Sequence, residues 1–135
     1  IASGKLINPR GVAWALAVGA DFVNSARGFM FALGCIQAMQ CNRNTCPTGI
    51  ATHNPRLQRG LVPADKAERV AHFARNMEKE VAMIAHSCGV PEPRALRRHH
   101  ARIMAADGRS FGLDTLYPLP QPGAGVPMRR SPPAA

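Results

Sequence analysis

Residues 1–40 spell a strand, a glycine turn, a helix, a second strand, a small-residue turn and a second helix, and that order admits few architectures. Ile1 to Leu6 reads as the end of a strand passing into a turn at Gly4. Asn8-Pro9 opens a helix, with Asn as the N-cap and Pro at the first helical position, where its missing N–H costs nothing. Val12, Trp14 or Ala15, and Leu16 supply its apolar faces, and Gly19 after Val18 supplies the stop. Ala20 to Ser25 reads as a short buried strand, followed by Ala26-Arg27-Gly28 and a helical run from Arg27 to about Gln40. A strand–helix–strand–helix unit calls for parallel strands joined by a right-handed crossover. In such folds ligands gather beyond the carboxyl ends of the strands. Here those ends offer Gly4 and Lys5 in one loop, and Ala26, Arg27 and Gly28 in the next. Small residues let backbone N–H groups approach a phosphate at a helix N-terminus, and Arg27 has the fork geometry to grip its oxygens. Alone, Gly4 is an ordinary turn and Arg27 a surface ion pair. At two consecutive turns, the phosphate reading leads.

The second constraint is Cys35-Ile-Gln-Ala-Met-Gln-Cys41-Asn-Arg-Asn-Thr-Cys46-Pro47, three thiols spaced Cys-x5-Cys-x4-Cys and closed by Cys-Pro. The polar loop Asn42-Arg43-Asn44-Thr45 cannot pack into a core, but its N–H groups can surround negative charge. Iron–sulfur clusters are held by thiolates at short, uneven spacings of this kind. Three thiolates favour a cluster of three irons over one of four. Structural zinc prefers four ligands in two close pairs, and no Cys-x2-Cys pair occurs, although His53 or Cys88 could complete a set. A disulfide would leave one thiol of the three unused. Buried, unligated cysteine is the plainest alternative. Spacing alone leaves these open.

Beyond the cysteines, residues 48–55 read as an irregular covering segment, with Thr52 and His53 facing solvent. Pro63 starts the longest helix, predicted to reach about Ser87 with Gly89 as its stop. Val70, Phe73, Ala74, Met77, Val81, Ile84 and Cys88 form one apolar stripe at helical spacing. Pro91-Glu92-Pro93 then introduces a predicted helix from Arg94 to Met104. From Tyr117 the density of Pro and Gly predicts an extended, disordered tail. The chain carries 17 Lys and Arg against 8 Asp and Glu, a net charge of +9, which invites polyanionic partners. Arg94, Arg97, Arg98 and Arg102, with His99 and His100, concentrate that charge. Aromatic residues that would stack on bases are nearly absent beside them. A solvated basic helix face is therefore expected there. No apolar run approaches the roughly 20 residues needed to cross a bilayer, and no signal peptide is evident. Thiols without a secretory signal point to a reducing compartment, the cytoplasm.

Ser3-Gly4-Lys5, Gly19-Ala20-Asp21, Ala26-Arg27-Gly28 and Leu33-Gly34-Cys35 through Cys46-Pro47-Thr48-Gly49-Ile50-Ala51-Thr52 resemble the FMN-binding glutamate synthase family. The resemblance covers residues 1–90 and rests most firmly on the cysteine signature. It implies that the chain is the C-terminal part of a (β/α)8 barrel: its last two βα units, the cysteine loop and C-terminal helices. It implies an FMN phosphate held by Ser3, Gly4, Lys5, Ala26, Arg27 and Gly28, and a 3Fe-4S cluster held by Cys35, Cys41 and Cys46. Lys5 is a departure, because many members carry Gly there; a backbone N–H contact survives the change. The implied chemistry is reductive synthesis of L-glutamate from 2-oxoglutarate and ammonia. Electrons would come from a ferredoxin-like donor and pass through the cluster to FMN.

A (β/α)8 barrel needs about 250 residues, so the resemblance also predicts that this chain is a fragment and inactive alone. It predicts as well an open sheet edge and an uncovered apolar face. The expected organisation is 1–90 for the cofactor-binding part, 91–116 for a helical extension and 117–135 for the tail. The rival reading is a small basic iron–sulfur or nucleic-acid-binding module without catalytic activity, built on the late arginines. No nucleic acid partner and no membrane segment are expected under the leading reading.

Overall fold

The structure is a computed structural model, and it describes residues 1–120. Strand β1 (Ala2–Ser3) pairs in parallel with β2 (Val23–Asn24), Ala2 opposite Val23 and Ser3 opposite Asn24. Helix α1 (Pro9–Val18) joins them. Asn8 Oδ1 accepts from the Gly11 N–H at 2.8 Å, and Pro9 takes the first helical position. Gly19, at φ +121, ends the helix by turning its N–H back to the Leu16 carbonyl. Small side chains do the packing: Ala13, Ala15 and Ala17 are buried, while Trp14 is 42 % exposed. The predicted buried strand at 20–25 contracts to two residues. Phe22 stays 62 % exposed beneath the Arg94 guanidinium, 5.7 Å from its ring centre.

Helix α2 (Ala26–Leu33) stops seven residues short of its predicted end at Gln40. Gly34 adopts the left-handed conformation at φ +102, and the N–H groups of Gly34 and Cys35 close on the carbonyls of Phe31 and Met30. That is a glycine C-cap. Beyond it Gln37 and Met39 also take positive φ, so the chain cannot resume a helix before Cys41. A short 3₁₀ turn follows at Cys41–Arg43, and then the four-residue α3 (Pro55–Gln58).

Helix α4 (Pro63–Ser87) matches its predicted bounds and packs against both α1 and α2. Ala13, Ala17, Val81, Ala85 and Leu96 form the core, with Val12, Leu16, Met77 and Ile84 half-buried around it. Phe73 crosses α2 edge-on to Phe29, ring centres 5.1 Å apart. Cys88, assigned to the apolar stripe, is instead exposed. It sits one residue past the helix, where the chain has begun to turn and the helical spacing no longer applies.

The helix predicted at 94–104 does not form. Two 3₁₀ turns, Pro93–Ala95 and Arg98–His100, lead into an antiparallel hairpin of β3 (Arg102–Met104) and β4 (Ser110–Gly112), then α5 (Leu113–Leu116). Asp107-Gly108 makes the turn. Gly108 is at φ +81, and Asp107 Oδ1 accepts the Arg109 N–H at 3.0 Å. Asp-Gly between alternating side chains is a hairpin signal.

The two parallel strands leave both outer edges unpaired. Ile1, Ile36 and Met39 lie 90, 66 and 84 % exposed. Among the described residues no helix is long and apolar enough to cross a membrane. The predicted disordered tail falls, from residue 121, outside the described residues.

Candidate functional site

Parallel register places the two strand ends side by side, so Gly4-Lys5 lies next to Ser25-Ala26-Arg27. Between them opens a cavity of about 280 Å³, lined by five of the six residues predicted to hold phosphate: Ser3, Gly4, Lys5, Ala26 and Arg27. Gly4 is at φ +105 and Lys5 at φ +55, so this turn folds through two left-handed residues, the second bearing a side chain. Gly28 is not in the lining. It is buried, and a Cβ there would fall 2.7 Å from Phe73 Cζ, so its small size serves the approach of α2 to α4.

Sequence reasoning missed Ser25, which lines the same cavity. It occupies the N-cap of α2 but makes no capping bond, and its Oγ is buried without a hydrogen-bond partner. The first N–H groups of a helix have no partner within it, and here no side chain from the cap takes one. The helix end thus keeps its donors and positive potential turned to the cavity. Arg27 and Lys5 are both exposed, and among the described residues neither forms an ion pair with a carboxylate. An orphaned hydroxyl, uncapped amides and two unopposed cations fit a phosphate group. The signal available in sequence was a Ser directly before a small-residue helix start.

Ala26 and Arg27 also line a second cavity, of about 300 Å³, whose walls include Cys35, Cys41 and Cys46. Each thiol has its own support. Cys35 is half-buried and set by the Gly34 turn; Cys41 is exposed at the start of a 3₁₀ turn; Cys46 is buried. The Cys46 sulfur lies 3.3 Å from Thr48 Oγ1. That bond, followed by the backbone N–H of Ala51 and then of Thr48 and Ile50, lowers the thiol to about 7 from its ordinary 9.0, against the opposing effect of burial. Hydrogen bonds of this kind favour thiolate.

The loop that carries these donors is pinned from behind. Thr52, expected to face solvent, is buried; its Oγ1 donates to the Asn44 carbonyl at 2.6 Å and accepts from the Asn54 N–H at 3.1 Å. Asn44, itself at φ +59, accepts the His53 N–H at 2.6 Å, and Gln58 Nε2 donates to the Thr52 carbonyl at 2.8 Å. His53 is exposed, as expected.

All four cysteines are free thiols. Among the described residues, no three His, Cys, Asp or Glu side chains are grouped closely enough to hold a single metal ion. The three thiols line one cavity, and one of them is already biased toward thiolate, the form in which cysteine binds iron.

Arg97, Arg98 and Arg102 are held by carbonyls rather than arrayed on a helix. Arg98 Nε donates to the Val18 carbonyl at 3.0 Å and Nη1 to that of Tyr117; Arg97 Nη1 donates to the carbonyls of Arg94 and Leu96 at 2.7 and 2.8 Å. Arg102 grips Ser110 at 2.8 and 2.9 Å across the hairpin. The expected solvated basic helix face is absent because the segment folds into two 3₁₀ turns and a hairpin strand in place of a helix.

Residues 1–91 match the conserved region in glutamate synthase. The chain is 42 % identical over 115 residues to the glutamate synthase large subunit-like protein YerD of Bacillus subtilis, covering 85 % of this chain and 22 % of that protein. It is 34 % identical over 114 residues to the archaeal glutamate synthase (NADPH) of Methanocaldococcus jannaschii, covering 84 % and 21 %. It is 33 % identical over 116 residues to the archaeal-type glutamate synthase (NADPH) of Thermotoga neapolitana, covering 86 % and 23 %. The chain thus spans about a fifth of the length of the curated relatives it matches. No solved structure matches it.

Proposed function

Since this chain belongs to the glutamate synthase family, we propose that it is the cofactor-holding C-terminal part of a (β/α)8-barrel oxidoreductase that forms L-glutamate from 2-oxoglutarate and ammonia. The observation that carries the reading is the cavity at the two strand ends, with its orphaned Ser25 hydroxyl beside Gly4, Lys5 and Arg27. Ser3, Gly4, Lys5, Ser25, Ala26 and Arg27 would hold the phosphate of FMN, and Cys35, Cys41 and Cys46 a 3Fe-4S cluster. When bound, FMN supplies hydride chemistry and the cluster supplies single electrons from a ferredoxin-like donor.

The protein's own part is to position and to tune. The α2 N-terminus and Arg27 neutralise phosphate charge. Thr48 and the amides of Thr48, Ile50 and Ala51 stabilise negative charge on the Cys46 sulfur. Thr52 fixes the loop that carries them. Contacts to the flavin ring and to substrate would come from barrel units outside these residues, so the chain alone is inactive in this proposal.

The test is anaerobic absorption and EPR spectroscopy of the protein that carries this chain. Flavin bands, together with an oxidised three-iron signal lost on Cys41→Ser, are expected. A folded, colourless and EPR-silent protein would leave the cysteines structural and remove the reading.

A further inference from the structure

At the far end of α1 from the phosphate cavity lies a larger one, of about 740 Å³, and the two share no lining residue. Ten helical residues at 1.5 Å each set them about 15 Å apart. Its volume falls within the range of small-molecule pockets, about 300–1,000 Å³. One wall is the end of α1, with Leu16, Val18 and the following Asp21; the other is the segment that carries Arg94, Leu96, Arg97 and Arg98. Asp114 and Leu119 complete it.

Three guanidiniums within five residues repel one another, and among the described residues none has a carboxylate within ion-pair distance. The ion pairs among the described residues are Lys66–Asp65, His72–Glu68 and Arg109–Asp107. Arg97 and Arg98 are anchored on backbone carbonyls by part of their donor set, which fixes the groups while leaving further N–H donors free. Arg94 donates to no carbonyl or carboxylate among the described residues; its guanidinium lies over Phe22. Guanidinium forks match a carboxylate in plane and spacing, and holding Arg97 in advance lowers the ordering cost of binding there. Beside the cations, Leu16, Val18, Leu96 and Leu119 offer an apolar wall.

We propose that this cavity binds a small organic acid, its carboxylate on Arg94 and Arg97 and its apolar body against Leu16, Leu96 and Leu119, at a site separate from the cofactor cavities. Asp21 and Asp114 oppose the anion, so binding is weak and tunable in both directions.

Isothermal titration calorimetry on the protein that carries this chain, with acetate, butyrate, hexanoate and neutral hexanamide as probes, tests this. Affinity should climb along the acid series, by up to about four-fold for each methylene buried, and hexanamide should fail to bind. Arg94→Ala should weaken hexanoate at least five-fold. The exposed contact of the Arg94 side chain with Phe22 is its one link to another segment among the described residues, so circular dichroism should be unchanged. Asp21→Asn should tighten hexanoate two- to three-fold, the opposite sign, which general damage to the fold would not produce. Equal binding of acetate and hexanoate, equal binding of hexanamide, or indifference to both substitutions would overturn the proposal.

Discussion

The Ser25 hydroxyl gives a prediction whose sign depends on what is bound. Among the described residues the Oγ is buried with no hydrogen-bond partner. A buried polar group left unsatisfied costs about 1–3 kcal/mol, so Ser25→Ala should stabilise the ligand-free fold by an amount in that range. The loss of an N-cap, which normally costs about 1 kcal/mol, does not offset this, because Ser25 makes no capping bond. Against a phosphate the same hydroxyl would donate a charge-assisted bond of about 1.5–3 kcal/mol. Its removal should therefore weaken FMN by roughly 10- to 150-fold, at 1.4 kcal/mol per decade. Urea unfolding of the FMN-free protein and quenching of flavin fluorescence on titration read the two arms separately. A stabilised apo-protein with weakened FMN binding is expected. Lower stability without FMN would mean that Ser25 already has a partner, and an unchanged FMN affinity would mean that the cavity does not take the phosphate.

Gly49→Ala should destabilise the cysteine loop by about 2–4 kcal/mol, from a left-handed residue and overpacking together. Gly49 is at φ +80, and an added Cβ would strike the Leu57 carbonyl and lie 3.1 Å from Gln58 Cα; an unchanged unfolding midpoint would refute the argument. Asp107 is held below its ordinary 3.8 first by the Arg109 backbone N–H, then by the Arg109 side chain. A depressed carboxylate stabilises the fold above its unfolded pKa and loses that contribution as pH falls through the folded value. Hairpin amide protection followed by NMR should thus decline below about pH 4, and Asp107→Asn should flatten that decline. Exposure keeps the effect small.

What could be read in the sequence followed from local rules that tertiary contacts did not contest. Asn8-Pro9 and Gly19 bracket α1, and Pro63 begins α4, because caps and proline act on their own turn. The parallel pairing followed from element order alone. The misreadings lie where a second rule competed. Leu33-Gly34 is a helix stop, but the apolar residues up to Met39 kept the helical spacing going, so the helix was drawn seven residues too long. Asp107-Gly108 marked a hairpin that the basic run from Arg94 to Arg102 obscured. Cys88 kept the spacing of the α4 stripe after the helix had ended.

The candidate site divides in the same way. Gly4, Lys5 and Arg27 were legible from their positions at strand ends. Ser25 and Thr52 were not, because an orphaned hydroxyl and a buried latch depend on what surrounds them. At Gly28 an added Cβ would meet both Phe73, 45 positions along the chain, and the Ser25 hydroxyl, neither of which its sequence neighbours announce.

Helix α2 begins at the phosphate cavity with Ala26 and Arg27 and ends by delivering Cys35 to the other cavity. Ala26 and Arg27 line both cavities, so the eight residues of α2 act as a ruler of about 12 Å between that shared wall and the Cys35 side of the second cavity. A ruler tolerates repainting but not recutting. Substitutions on its exposed face preserve the interval, whereas inserting or deleting one residue shifts Cys35 by 1.5 Å and turns it through about 100°. Length variation in a protein of this design should accumulate in the loops on either side of α2, and any redesign of the distance from Arg27 to Cys35 must proceed in whole helical turns.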